Sequence, residues 1–212
     1  MLSGFSVTNY KMERKIKEIL ASRVKNCLPD QRLKRAAVLI PLFTKDGEYH
    51  ILLTKRTDKV EHHKGQISFP GGRQDKKDKD LLATALREAQ EEMGIAPRDV
   101  KILGELDEFC TVTTDFCVSP FVALISYPYP FQVNPHEIAE VIEAPLSALL
   151  KEGQLRQEMW MKDGKPFPVY FYQYQNHTIW GATARILKQL LDLLPEEGKN
   201  QKAEFRSQNS ED

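Results

Sequence analysis

The chain has 212 residues, of which 41% are hydrophobic and 28% charged, enough to build one sizeable domain or two small ones around a real core. Thirty Lys and Arg balance thirty Asp and Glu, so the basic excess of a general nucleic-acid binder is excluded, but not a small anionic ligand held by a few local cations. No apolar run approaches the roughly 20 residues needed to span a bilayer, and the first residues suit neither a signal nor a transit peptide, so a cytoplasmic location with no membrane partner is expected.

In chain order, residues 11–28 place Ile16, Ile19, Leu20, Val24 and Cys27 at helical spacing and predict an amphipathic helix packed on the domain. "RAAVLIPLF" and "YHILLTKR" read as two strands joined by a turn at Asp46-Gly47, and "GQISF" as a third ending at Pro70-Gly71-Gly72. A charged loop, "RQDKKDKD", leads into a helix capped by Asp80 or Asp78. Leu82, Leu86, Ala89 and Met93 form its expected buried stripe. Later come the strands "VKILGELDEF" and "FCVSPFVALIS", then a strand and short helix within "NPHEIAEVIEAPLSALL". A second hairpin turns about Asp163-Gly164, and "WGATARILKQLLDLL" is a closing helix. Tyr170, Tyr172 and Tyr174 read as one face of a strand rather than a base-stacking platform. The domain organisation expected is an N-terminal helical segment over 1–30, one α/β domain over 31–194 and a polar, fraying tail over 195–212. Cys27, Cys110 and Cys117 lack CxxC spacing and read as reduced thiols.

"REAQEEMG" (Arg87 to Gly94) is the anomaly. Glu88, Glu91 and Glu92 stand at i, i+3 and i+4, where like charges repel by about a few tenths of a kcal/mol per pair. They also crowd the C-terminal end of a helix, where the macrodipole favours cations. Their face lies roughly 130° from the predicted stripe, so they are expected to line a groove. Clustered carboxylates suit a hard divalent cation such as Mg2+, and the Gly71-Gly72 turn lets backbone approach it.

The run "GGRQDKKDKDLLATALREAQEEMGI" resembles the Nudix box. The resemblance implies an α/β/α sandwich around a mixed sheet and hydrolysis of a diphosphate linkage with Mg2+ or Mn2+. It implies Glu91 and Glu92 as metal ligands, Glu88 as ligand or base, and a carbonyl at Gly71 or Gly72 as a further ligand. The Gly72-to-Arg87 spacing is one residue longer than usual, and Asp78 or Asp80 replaces the internal glutamate as partner of Arg87. Upstream, "LLTKRTDKVEHHKGQISFPGG" (Leu52 to Gly72) resembles the motif of coenzyme A diphosphatases, except that Glu61 stands where that motif has a second arginine. "WGATARIL" is similar to the same subfamily. The substrate implied is coenzyme A, cleaved to 3′,5′-ADP and 4′-phosphopantetheine. ADP-ribose, a dinucleotide or a nucleoside triphosphate is the alternative, and a non-catalytic ligand sensor ranks below both because all three acids are kept. Lys55, Arg56 and Arg73, with the Gly71 backbone, are the expected phosphate contacts, with His62 and His63 nearby. Glu137, then Glu140, is the expected general base. A homodimer is left open.

Overall fold

The computed structural model describes residues 4–26, 33–59, 63–112 and 114–194, with side chains from Met12 onward. Cys27, Glu61, His62 and the expected tail lie outside the described residues. The elements are α1 (Gly4–Ser22), β1 (Lys34–Lys45), β2 (Glu48–Arg56), β3 (Ile67–Ser68), β4 (Gly71–Arg73), α2 (Leu81–Met93), β5 (Lys101–Glu105), β6 (Phe109–Cys110), β7 (Phe116–Leu124), β8 (Ile138–Pro145), α3 (Leu146–Leu149), β9 (Leu155–Lys162), β10 (Lys165–Tyr174), β11 (His177–Trp180) and α4 (Gly181–Leu193).

β1 is the organising strand. It pairs parallel with β7 and antiparallel with β2 and β4, which makes the large sheet mixed. A strand covered on both faces needs apolar residues at every position rather than at alternate ones. β1 supplies them: Ala37, Leu39 and Phe43 face one core, and Ala36, Ile40 and Leu42 the other. Helix α2 covers the first face; α1, α4 and the second sheet (order β11-β10-β9) pack on the other. Both predicted hairpin turns form as left-handed Asp-Gly pairs, Asp46 and Asp163 at φ 49° and 50°, Gly47 and Gly164 at 81° and 75°. That conformation matches strand twist and favours these residues. Tyr172 is buried, with Tyr170 and Tyr174 partly buried against the same core, as one strand face requires.

Two expectations change. The first helix ends at Ser22, not near residue 28, and Val24 is 91% exposed. Ser22 Oγ turns back to the Ile19 carbonyl (3.0 Å), and Asp107 draws the next residues away by accepting from Arg23 (2.7 Å) and the Asn26 amide (3.1 Å). "VKILGELDEF" is two strands, not one, because Leu106 enters the core while buried Glu108 turns to Arg35 and Ser119. The second hairpin forms about Asp163-Gly164 as expected, within the separate three-stranded sheet.

Candidate active site

Asp80 caps α2, accepting from the Ala83 amide at 2.7 Å. Gly94 closes the other end in the left-handed conformation (φ 71°). The buried line of α2 is Thr84, Ala85, Ala89, Glu92 and Met93, while Leu82 and Leu86 are only partly buried, which corrects the predicted stripe. Ala85 and Ala89 share one buried core with Ala37 and Ala123 of the sheet, and Leu82 and Leu86 pack at its margin. The shift carries Glu92 inward. Its side chain is 3% exposed, against 17% for Glu88 and 57% for Glu91. The triplet therefore runs from interior to surface, and only its outer part lies clear of the core face.

Arg87 ties the charges together. Its Nε and Nη2 donate to the two oxygens of Asp78, both at 3.0 Å. Its Nη1 lies 2.9 Å from Glu88 and from Glu91, and its Nη2 also donates to the Arg73 carbonyl. Thr84 Oγ and the Asp75 amide complete the partners of Asp78 at 2.9 Å each. The Arg87 guanidinium holds the Asp78 carboxyl down at about 2. The two acids left open by the sequence thus divide the work: Asp80 caps and Asp78 pairs with Arg87.

Deeper in, Arg56 Nη1 stands 3.6 Å from Glu92 Oε1. Glu92 Oε2 and Arg56 Nε are buried without a hydrogen-bond partner. Burial pushes the Glu92 carboxyl up to about 8; Arg56 opposes the shift, and Glu88 and Glu137 add to it. Glu88 is raised as well, first by burial, with Arg87 opposing. Gly72 lies against Glu88, so close that an added Cβ would stand 2.5 Å from Oε1.

Glu137 sits in the turn before β8. It is close enough to Glu88 and Glu92 to raise both, and it accepts from Asn134 Nδ2 at 3.0 Å. Glu140, on β8, turns instead to His177 Nε2 (3.1 Å) and lies 3.9 Å from Lys55. Arg73 is exposed at the rim, and exposed His63 contacts Gln66. Asn134 and Thr57 were not singled out from the sequence. The Asn134 amide donates to the Glu92 carbonyl (2.9 Å), tying the loop to the end of α2, and Thr57 holds the loop through the His136 and Glu137 carbonyls. The Asn134-Pro135 turn signal was legible; its partner was not.

Among the described residues no three acidic, histidine or cysteine side chains converge as a ready-made metal cage. The residues nevertheless fit a hard cation. A buried carboxylate oxygen lacks a donor, its carboxyl is costly to ionise, and a glycine backbone lies against the neighbouring acid. Glu88, Glu91 and Glu92 are the side chains that would hold it.

The family model described as NUDIX domain matches residues 33–170. The chain is 40% identical over 166 residues to a protein named "Uncharacterized Nudix hydrolase NudL" from Photorhabdus laumondii, covering 76% of this chain and 88% of that one. A Yersinia pestis protein of the same name is 39% identical over 157 residues, covering 74% and 78%. Among solved structures, a MutT/nudix family protein from Enterococcus faecalis matches with TM-score 0.52 at 14% identity, covering 89% of this chain and 68% of that one. A NUDIX hydrolase from Alicyclobacillus acidocaldarius matches with TM-score 0.50 at 17% identity, covering 79% and 95%; these two likenesses concern the fold. The chain belongs to the Nudix hydrolase family. It is a hydrolase of nucleoside diphosphate derivatives, in a family that generally uses divalent metal ions such as Mg2+. No helix among the described residues is long and apolar enough to cross a membrane.

Proposed function

We propose that this Nudix hydrolase cleaves the diphosphate of coenzyme A, releasing 3′,5′-ADP and 4′-phosphopantetheine, with Mg2+ or Mn2+ at Glu88, Glu91, Glu92 and a carbonyl at Gly71 or Gly72. The observation that carries the reading is the run from Leu52 to Gly72, which resembles the coenzyme A diphosphatase motif at Leu52, Leu53, Thr54, Arg56, Gly65, Phe69, Pro70, Gly71 and Gly72. The fold supports it by closing that run on itself. The Arg56 amide bonds the Gln66 carbonyl and Thr54 Oγ the Ser68 carbonyl, so Arg56 and the glycine pair reach the acids together.

The cation would neutralise charge developing on the diphosphate oxygens. Glu137, oriented by Asn134, takes the proton of the attacking water. Arg87 keeps Glu88 and Glu91 near the site while Asp78 fixes Arg87. Arg56 and Arg73 contact the phosphates, with the Gly71 backbone beside them; Gly71 itself lacks a side chain because a Cβ there would collide with the Ala37 carbonyl of β1. Lys55 is engaged with Glu140 and ranks below them.

Glu61 favours a second reading, a different nucleoside diphosphate derivative such as ADP-ribose, a dinucleotide or a nucleoside triphosphate. Incubation with Mg2+ and a panel of coenzyme A, ADP-ribose, NADH and nucleoside triphosphates, with product identification, separates the two. On the coenzyme A reading, Glu61→Arg replaces repulsion of the 3′-phosphate by attraction and raises kcat/KM about tenfold for coenzyme A. The gain should largely vanish for dephospho-coenzyme A. Cleavage of ADP-ribose or NADH but not coenzyme A would overturn the substrate and leave the family untouched.

A further inference from the structure

The second sheet ends in an edge that the chain leaves open. β9 pairs with β10 on one side, and no strand among the described residues covers the other. Exposed edges are commonly blunted by proline, bulges or inward charges. β9 has no proline, and its register with β10 is unbroken from Lys162↔Lys165 to Leu155↔Tyr172. It is also apolar where water should be. Of the six exposed large hydrophobic residues described, five lie on this sheet: Leu155, Met159, Trp160, Met161 and Trp180. Met161 is 66% and Met159 57% exposed. On one face, Trp160, Phe171 and Trp180 cluster with ring centroids 6.2–6.3 Å apart. A concentration of this kind marks an interaction surface.

The hairpin sets which backbone groups are free. The two-residue turn Asp163-Gly164 closes on the bonded pair Lys162/Lys165, so Trp160, Glu158 and Arg156 also direct their backbone groups to β10. Leu155, Gln157, Met159 and Met161 direct theirs outward. Pro166 and Pro168 stand opposite Met161 and Met159, at positions that give no bond to β9.

The edge reads Glu158-Met159-Trp160-Met161-Lys162. Taken antiparallel about Trp160 it is its own complement. Glu158 meets Lys162 on one face, Met159 meets Met161 on the other, and Trp160 meets itself. The outward-pointing groups of the two methionines then form the bonded pairs. We infer that β9 is a homodimer interface, in which two copies pair antiparallel about a two-fold axis at Trp160 and join their outer sheets into one six-stranded sheet. In the single chain Glu158 already pairs with Arg156 and accepts from Trp160 Nε1, and Lys162 donates to the Val112 carbonyl. A carboxylate has spare acceptor sites and an ammonium three protons, so both can add the cross-axis pair.

Sedimentation of the full chain over a concentration series tests this. A monomer–dimer equilibrium is expected. Glu158→Lys and Lys162→Glu should each weaken association about tenfold or more, because every dimer holds the pair twice. The double exchange should recover most of the loss, which fixes the register. Trp160→Cys should crosslink to its own copy under mild oxidation, with the link between the two substituted positions read by peptide mapping. Thermal melting of each variant separates lost pairing from lost fold, and Met161→Lys provides a second disruption. A monomer at every concentration would overturn the inference, as would a dimer indifferent to the exchanges or a Trp160→Cys dimer whose introduced thiols never link.

Discussion

At the residue scale, Glu92 is the group whose state matters most. Its carboxyl titrates at an ordinary 4.5 in the unfolded chain and is pushed up to about 8 in the fold. A raised carboxyl contributes stability that is fully present below 4.5 and lost as pH rises through about 8. Without metal, the wild type should therefore lose stability between acid and alkaline pH relative to Glu92→Gln, on the order of a few kcal/mol. Urea unfolding in chelator at both ends of the window checks this, and parallel curves for the two proteins would refute it. Added Mg2+ should raise the melting temperature at alkaline pH, more in the wild type than in Glu92→Gln, since the cation binds the folded state. Glu137 belongs to the same scale. Glu137→Gln should lower kcat by about a hundred- to ten-thousand-fold with a smaller change in KM. Glu140→Gln should leave kcat largely intact, because Glu140 is turned to His177. The reverse outcome in steady-state kinetics would exchange their roles.

At the scale of the element, α2 is held at both ends by features that also shape the site. Asp80→Ala removes the cap on the Ala83 amide and should cost about 1 kcal/mol without touching the acids. Gly94→Ala should cost more, about 1–3 kcal/mol. The position is left-handed, and an added Cβ would stand 2.7 Å from Gln132 Cβ, in the loop that bonds the Met93 carbonyl. Denaturant midpoints distinguish the two. Gly72→Ala acts differently. Its Cβ would press on a carboxylate at the end of a flexible side chain, so Glu88 can yield. The expected signature is weaker Mg2+ binding in calorimetry with modest loss of stability.

At the scale of the molecule, the sheet separates two cores with different duties. The α2 side carries the acids, whereas the other side attaches the outer sheet through Tyr172 and Ile179, and α4 through Ala184. Thr183 adds a bond to the Ile67 carbonyl at 2.9 Å. Ile179 is fully buried, so Ile179→Ala should destabilise by about 2–5 kcal/mol. At a temperature where the variant remains folded, kcat should stay near the wild-type value. A matching loss of kcat would mean that the outer sheet shapes the site more directly than its position implies.

What the sequence determined by itself was local chemistry. The Asp-Gly turns, the apolar run of β1, the existence of α2 and the Nudix-like spacing of its acids depend on neighbours along the chain, and they were legible for that reason. The end of α1 was not, because the Asp107 carboxylate that accepts from Arg23 and the Asn26 amide lies some 80 residues away. The buried line of α2 was set by the sheet residues it shares a core with, which no helical period contains. The choice between Asp78 and Asp80 depended on where Arg87 reached across the loop, and the contrast between Glu137 and Glu140 on which side of β8 each came to lie. Spacing can name the charged groups. Only tertiary packing decides which of them is stripped of water and what stands opposite it, and the Glu92 carboxyl near 8 is the product of that packing.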